Sequence, residues 1–136
     1  PEGLKILVVE DNDINAEIIL DMLKDAGIKC LRAKDGAAAL EVIPKVDFDL
    51  VLMDCQMPVM DGFSATRAIR DLPGDKSGIP IIALTANAFD EDRKACLSAG
   101  MNDYLSKPVR RTSLFTMLIK YVGYQAVTDE TPGPTD

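Results

Sequence analysis

The chain has 136 residues, enough for one hydrophobic core and hardly two, and its 47% hydrophobic and 27% charged residues are ordinary for a soluble domain. A net charge of −7 argues against direct contact with nucleic acid, and no apolar run approaches the roughly 18 residues of a membrane span. Three scattered cysteines, Cys30, Cys55 and Cys96, with no C-x-x-C and no histidine, argue against a zinc site and read as reduced, packed thiols.

From the N-terminus, PEGLKILVVED has neither a basic n-region nor a small-residue cleavage site, so no secretory signal is read; the missing initiator Met suggests an excised fragment or a processed chain, and a cytoplasmic domain is expected, whether it stands alone or is part of a longer protein. KILVVE (5–10) is the first predicted strand. A helix is predicted from Asn15 to Ala26, with Ile18, Ile19, Met22, Leu23 and Ala26 as its buried stripe and Gly27 closing it; Ile14 and Leu20 lie at or beyond the stripe's edge. KCLRA (29–33) is the next strand, followed by a helix from Gly36 to Ile43 that stops before Pro44. DLVLMD (49–54) and PIIALT (80–85) are strands apolar enough to be central, and the helix between them runs from Gly62 to Asp71 and ends at Pro73-Gly74. A helix from Glu91 to Ala99, the strand DYLS (103–106) and a helix from Arg111 to Val122 complete the series. The end of the chain, QAVTDETPGPTD, is polar, acidic and Pro-rich, so a domain is expected over 4–123 and a linker or disordered tail over 124–136.

Five alternations of strand and helix predict an α/β fold, a parallel sheet with right-handed crossovers and helices on both faces. In such a sheet the ligand site lies beyond the carboxyl ends of the strands. Those ends carry Glu10 and Asp11 after the first strand, Asp54 on the third, Thr85 on the fourth and Lys107-Pro108 after the fifth. Each has a mundane explanation alone: Asp11 or Asn12 as a helix N-cap, Thr85 as a loop hydroxyl, Lys107 as a solvated cation. Together they do not, because clustered carboxylates repel unless a cation offsets them. A hard divalent ion, Mg²⁺ or alternatively Mn²⁺, takes oxygen ligands and bridges to phosphate. Asp54 then reads as a nucleophile toward phosphorus, with Lys107 neutralising one phosphoryl oxygen and Thr85 donating to another.

The strings VVEDNDIN, VLMDCQMPVMDG, ALTANA and GMNDYLSKP resemble the receiver domain of two-component response regulators, especially receivers carried by hybrid sensor histidine kinases, over roughly Leu4 to Val122. The resemblance implies a flavodoxin-like, doubly wound five-stranded sheet of order 2-1-3-4-5 with five helices. It implies Asp54 as phosphoacceptor, with Asp11, Asp54 and the Gln56 carbonyl as metal ligands and Glu10 acting through water. Thr85 and Tyr104 match the family's switch pair and Lys107 its phosphate-contacting lysine, typically joined to Pro108 by a cis bond. Such a domain catalyses its own phosphorylation and dephosphorylation and has no separate turnover substrate. Having no histidine, the chain needs a phosphohistidine donor, a histidine kinase or phosphotransfer helical bundle, expected to dock near Ile14, Asn15 and Pro108. A receiver homodimer is a further expected partner.

Other residues read as packing: Cys55 on the opposite side of its strand from Asp54, and Met57, Met60 and Phe63 under the following loop. The rival enzyme reading is a haloacid-dehalogenase-like phosphatase, in which Asp11 would be the nucleophile and Asp13 the acid. It lacks room for a cap domain and an acidic motif after the fourth strand. A phosphate-independent pseudo-receiver conflicts with the intact acidic cluster, and an FMN carrier with the acidic loop where a flavin phosphate needs donors.

Overall fold

Side-chain alternation along the strands decides how this chain layers. A computed structural model describes residues 3–55, 60–86 and 90–124, with the side chains of 90–92 excepted. Five strands, β1 (Lys5–Val9), β2 (Lys29–Ala33), β3 (Leu50–Asp54), β4 (Ile81–Thr85) and β5 (Asp103–Ser106), form one parallel sheet in the order β2-β1-β3-β4-β5. Five α-helices connect and follow them: α1 (Asp13–Asp25), α2 (Gly36–Val42), α3 (Gly62–Arg70), α4 (Asp90–Ala99) and α5 (Arg111–Val122). A short 3-10 turn at Gly74–Gly78 leads into β4.

Leu7, Val9, Val51, Met53, Ile81 and Ala83 face one side of the sheet, where Ala39 and Ile43, Ala65 and Ile69 of α3, and Cys96 of α4 cover them. Their neighbours Ile6, Val8, Leu50, Leu52, Ile82 and Leu84 face the other side and meet Ile19 and Leu23 of α1 and Leu114 and Leu118 of α5. The period of two thus sends alternate residues of each central strand into separate apolar layers, so β3 and β4 are buried from end to end.

Two departures from the predicted pattern have simple geometric causes. In α1 the buried line is Ala16, Ile19 and Leu23, while Ile18 is 48% exposed. One residue before Ile19 lies about 100° around the helix, too far to share its seat. Tyr124, assigned to the tail by its polar neighbours, is buried in the layer under α1 and α5 and stacks on Phe115 with ring centroids 5.5 Å apart. Packing therefore continues one residue beyond 123; residues 125–136 lie outside the described residues.

Asn12 caps α1, its side chain accepting from the Asn15 N–H at 2.9 Å, and Asp35 and Asp61 cap α2 and α3 in the same way. At the start of α3, a Cβ on Gly62 would overlap the Asp54 carbonyl oxygen and lie 3.0 Å from the Cys55 Cα. Only glycine lets α3 begin this close to the end of β3.

Candidate functional site

The strand order reverses between β1 and β3, since β1 leads outward to β2 and β3 leads to β4 and β5. A crevice opens where neighbouring crossovers depart to opposite faces. Backbone hydrogen bonds extend the ladder just past the strands and fix what stands there: Glu10 N–H to the Ala33 carbonyl at 3.1 Å, Cys55 N–H to Leu84 at 3.0 Å and Lys107 N–H to Thr85 at 2.8 Å.

Glu10, Asp11 and Asp54 each bring a carboxylate oxygen to within 4.8 Å of the others. Glu10 is fully buried and Asp54 nearly so, whereas Asp11 is exposed at the rim. The Lys107 ammonium lies 3.0 Å from Asp54 Oδ2 and 3.2 Å from Glu10 Oε1. One cation therefore serves two buried anions. Burial, and then the adjacent Asp54 carboxylate, push the Glu10 pKa up to about 7, with the Asn12 N–H and Lys107 pulling the other way. Burial works against the charge on Lys107, but Asp54 and Glu10 outweigh it and hold the ammonium's pKa above its ordinary value. Glu10 Oε2 accepts from the Asn12 N–H at 3.2 Å, while buried Oε1 meets the Lys107 ammonium and has no well-aligned hydrogen bond among the described residues. An anionic, all-oxygen cluster with an under-satisfied buried acceptor fits a hard divalent cation.

Arg32, at the penultimate position of β2, is a contributor that sequence patterns did not single out. Its Nε and Nη2 donate to the Glu10 carbonyl at 3.1 and 2.9 Å, and Nη2 also donates to the Asp11 carbonyl at 3.1 Å. Its Nη1 pairs with Asp13 at 2.7 Å. The guanidinium thus holds the backbone that presents both acids. Asp13 stands outside the carboxylate cluster, held in an ion pair, which removes the acid that the phosphatase reading requires.

Thr85 is buried at the end of β4, and Tyr104 is half-buried on β5 against the layer that includes Cys96. Lys107 and Pro108 are joined by a cis bond. Cys55 packs away from Asp54, its Sγ 3.8 Å from that of Cys96, and burial pushes its thiol far up from the ordinary range. Met60 and Phe63 pack against the same layer as expected. Gln56 and Met57 lie outside the described residues. Beside the acids, a small pocket is lined by Glu10, Asn15, Ile18, Ile19, Lys107 and Pro108, and Ile14, which precedes Asn15 in the chain, is 72% exposed.

Comparison with known proteins shows the family to which this fold belongs. Residues 6–119 match the family model described as the response regulator receiver domain. The chain is 47% identical over 126 residues to hybrid signal transduction histidine kinase B of Dictyostelium discoideum, covering 85% of this chain and 6% of that protein. It therefore spans only a small part of that relative. Among solved structures, the receiver domain of sensor histidine kinase PA1611 from Pseudomonas aeruginosa, with a magnesium ion coordinated in its active site cleft, is 46% identical with a TM-score of 0.83, covering 90% of this chain and 99% of that one. A chain in the co-crystal structure of the Saccharomyces cerevisiae phosphotransfer protein Ypd1 with the Ssk1 receiver domain is 32% identical with a TM-score of 0.83, covering 94% of each. No helix among the described residues is long and apolar enough to cross a membrane.

Proposed function

This chain belongs to the receiver domain family of two-component systems, and we propose that it takes its phosphoryl group on Asp54 from a phosphohistidine donor. What supports the assignment to Asp54 is its place: a buried carboxylate at the carboxyl end of a central strand, 3.0 Å from Lys107 and inside the acidic cluster. A carboxylate oxygen of Asp54 attacks phosphorus, the P–N bond to the donor imidazole breaks, and the leaving nitrogen keeps the electron pair and is protonated as it departs. Lys107 is already poised to neutralise charge on the incoming group, and Thr85 supplies a hydroxyl donor from the next strand.

Asp11, Asp54 and the Gln56 carbonyl, with Glu10 through water, are the residues we assign to Mg²⁺, with Mn²⁺ as a substitute. The ion, when bound, supplies charge neutralisation on phosphoryl oxygens. A second displacement, in which water attacks the phosphorus and the P–O bond to Asp54 breaks to release inorganic phosphate and the free carboxylate, makes the domain its own phosphatase.

The donor, a histidine kinase or histidine phosphotransfer bundle, docks over exposed Ile14 and Ile18 beside Asn15 and Pro108, an apolar patch adjoining the acceptor. Readout runs through Thr85 and Tyr104: a phosphoryl oxygen draws the Thr85 hydroxyl inward, and the Tyr104 ring follows into deeper burial. The surface so remodelled includes a groove of about 480 Å³ between β5 and α5, a site for a second receiver or an output partner. We assign the whole task to a cytoplasmic domain over 4–124, carried in a longer signalling protein of the hybrid kinase type.

Incubation with acetyl phosphate and Mg²⁺, followed by intact mass, tests the acceptor. The wild type should gain one phosphoryl group, EDTA should abolish the gain, and Asp54→Asn should remain unmodified. Full labelling of Asp54→Asn would move the nucleophile to Asp11.

A further inference from the structure

The guanidinium of Arg93 lies over the Tyr104 ring, with Cζ 5.0 Å from the ring centroid. That is inside the roughly 6 Å reach of a cation–π contact. Arg93 projects from α4 and is exposed, while Tyr104 sits half-buried on the neighbouring strand β5. We infer that Arg93 is a positioning residue for the switch: it holds the Tyr104 ring in its partly exposed place and so sets how readily the phosphorylated state forms. This rests on the reading of Tyr104 as the moving element of the readout.

The argument is one of differential contact. A group shifts a two-state equilibrium only by interacting differently with the two states. The Tyr104 ring presents a face to Arg93 while it lies at the surface of the β5 edge. Rotation toward buried Thr85 withdraws that face from a side chain that is itself in solvent. The contact is therefore made before the switch and broken by it, so it opposes phosphorylation. Linkage makes the opposition reciprocal: a residue that disfavours the inward ring must also weaken apparent binding of whatever favours it.

At an exposed site such a contact should change the population ratio about two- to fivefold, which corresponds to ~0.5–1 kcal/mol. Binding of beryllofluoride in the presence of Mg²⁺, followed by the NMR signals of the Tyr104 ring, measures the effect. Arg93→Gln should lower the apparent dissociation constant about two- to fivefold and move the unliganded ring signals toward their bound position, and Arg93→Lys should restore most of the wild-type behaviour. In the Tyr104→Leu background, Arg93→Gln should have no effect. Unchanged affinity, weaker binding, or an equal gain in the Tyr104→Leu background would each overturn the latch. If instead the wild-type ring does not respond to beryllofluoride at all, the switch reading itself fails. Arg93 is exposed, and cooperative thermal melts within a few degrees of the wild type, the shift that loss of the contact itself produces, exclude misfolding as the cause.

Discussion

Replacing Gly62 by alanine tests whether the close approach of α3 to β3 sets the geometry of the acceptor. The added Cβ overlaps the Asp54 carbonyl oxygen and lies 3.0 Å from both the Asp54 carbonyl carbon and the Cys55 Cα. All three are backbone atoms, so no side chain can turn aside. Overpacking of this kind costs about 1–3 kcal/mol. Gly62 is the first residue of α3, where little of alanine's ~1 kcal/mol helix-interior advantage is recovered, so the net loss stays about 1–3 kcal/mol. For a domain of this size that lowers the melting temperature by roughly 3–10 °C. Gly78→Ala is the matched control: nothing lies within 4 Å of its Cβ and its backbone is not left-handed, so it should be neutral or stabilising by up to ~1 kcal/mol. Urea unfolding of both variants gives the free energies, and acetyl phosphate labelling shows whether the shifted Asp54 backbone slows the chemistry. Equal stability of Gly62→Ala, Gly78→Ala and the wild type would refute the steric argument.

Arg32→Gln removes the donors that hold the Glu10 and Asp11 carbonyls, so Mg²⁺ affinity, read by titration, should fall severalfold while the fold persists; unchanged affinity would mean the acidic loop holds itself. Lys107→Met leaves two buried carboxylates without their ammonium and should cost roughly 3 kcal/mol, with Mg²⁺ raising its melting temperature more than the wild type's; identical melts would show that Lys107 offsets nothing. Burial raises the Asp103 carboxyl, but hydrogen bonds from Tyr104 N–H at 2.9 Å, Tyr121 hydroxyl at 2.9 Å and Lys120 at 3.2 Å outweigh it and hold its pKa below the ordinary range. A depressed carboxyl pKa stabilises above the unfolded value and loses that contribution as pH falls through the folded value. Asp103→Asn should therefore be less stable than the wild type by about 1 kcal/mol at pH 7, and the difference in urea midpoints should close below about pH 4; a gap that persists at low pH would point to shape rather than charge.

The strands, helices and acidic cluster were legible because each leaves a local mark. Apolar runs such as PIIALT have no polar break, and acids at strand ends stand out against them. The contributions of Arg32 and Arg70 were not legible. Arg70 donates to the carbonyls of Gly100, Ser77 and Ile79 and to the Asn102 side chain, tying α3 to the approaches of β4 and β5. Its acceptors, like those of Arg32, are mostly backbone oxygens, and a carbonyl leaves no residue-type signature in a sequence. Ile18 was misplaced for a related reason: an apolar residue one step from the buried line reads as part of the stripe until the packing partner is known. Here exposed Ile18 lines the small pocket beside Lys107 and Pro108, the surface assigned to the donor.

The acceptor site sets stability against function. Three carboxylates converge where one lysine contacts the two that are buried, and burial, with the neighbouring Asp54, pushes the Glu10 pKa up to about 7. A fold selected only for stability would place apolar residues at these ends, as it does along the rest of β3 and β4. The excess negative charge makes sense if the resting domain is one of two states to be balanced. A bound cation would lower the energy of the cluster, and in the proposed reaction the phosphoryl group adds anionic oxygens for Lys107 and Thr85 to meet. Lys107 is anchored through its backbone N–H to the Thr85 carbonyl, so the segment that carries Thr85 is hydrogen-bonded to the end of the strand that bears Tyr104. On the proposed assignment, chemistry at Asp54 and readout through Thr85 and Tyr104 share one set of strand ends.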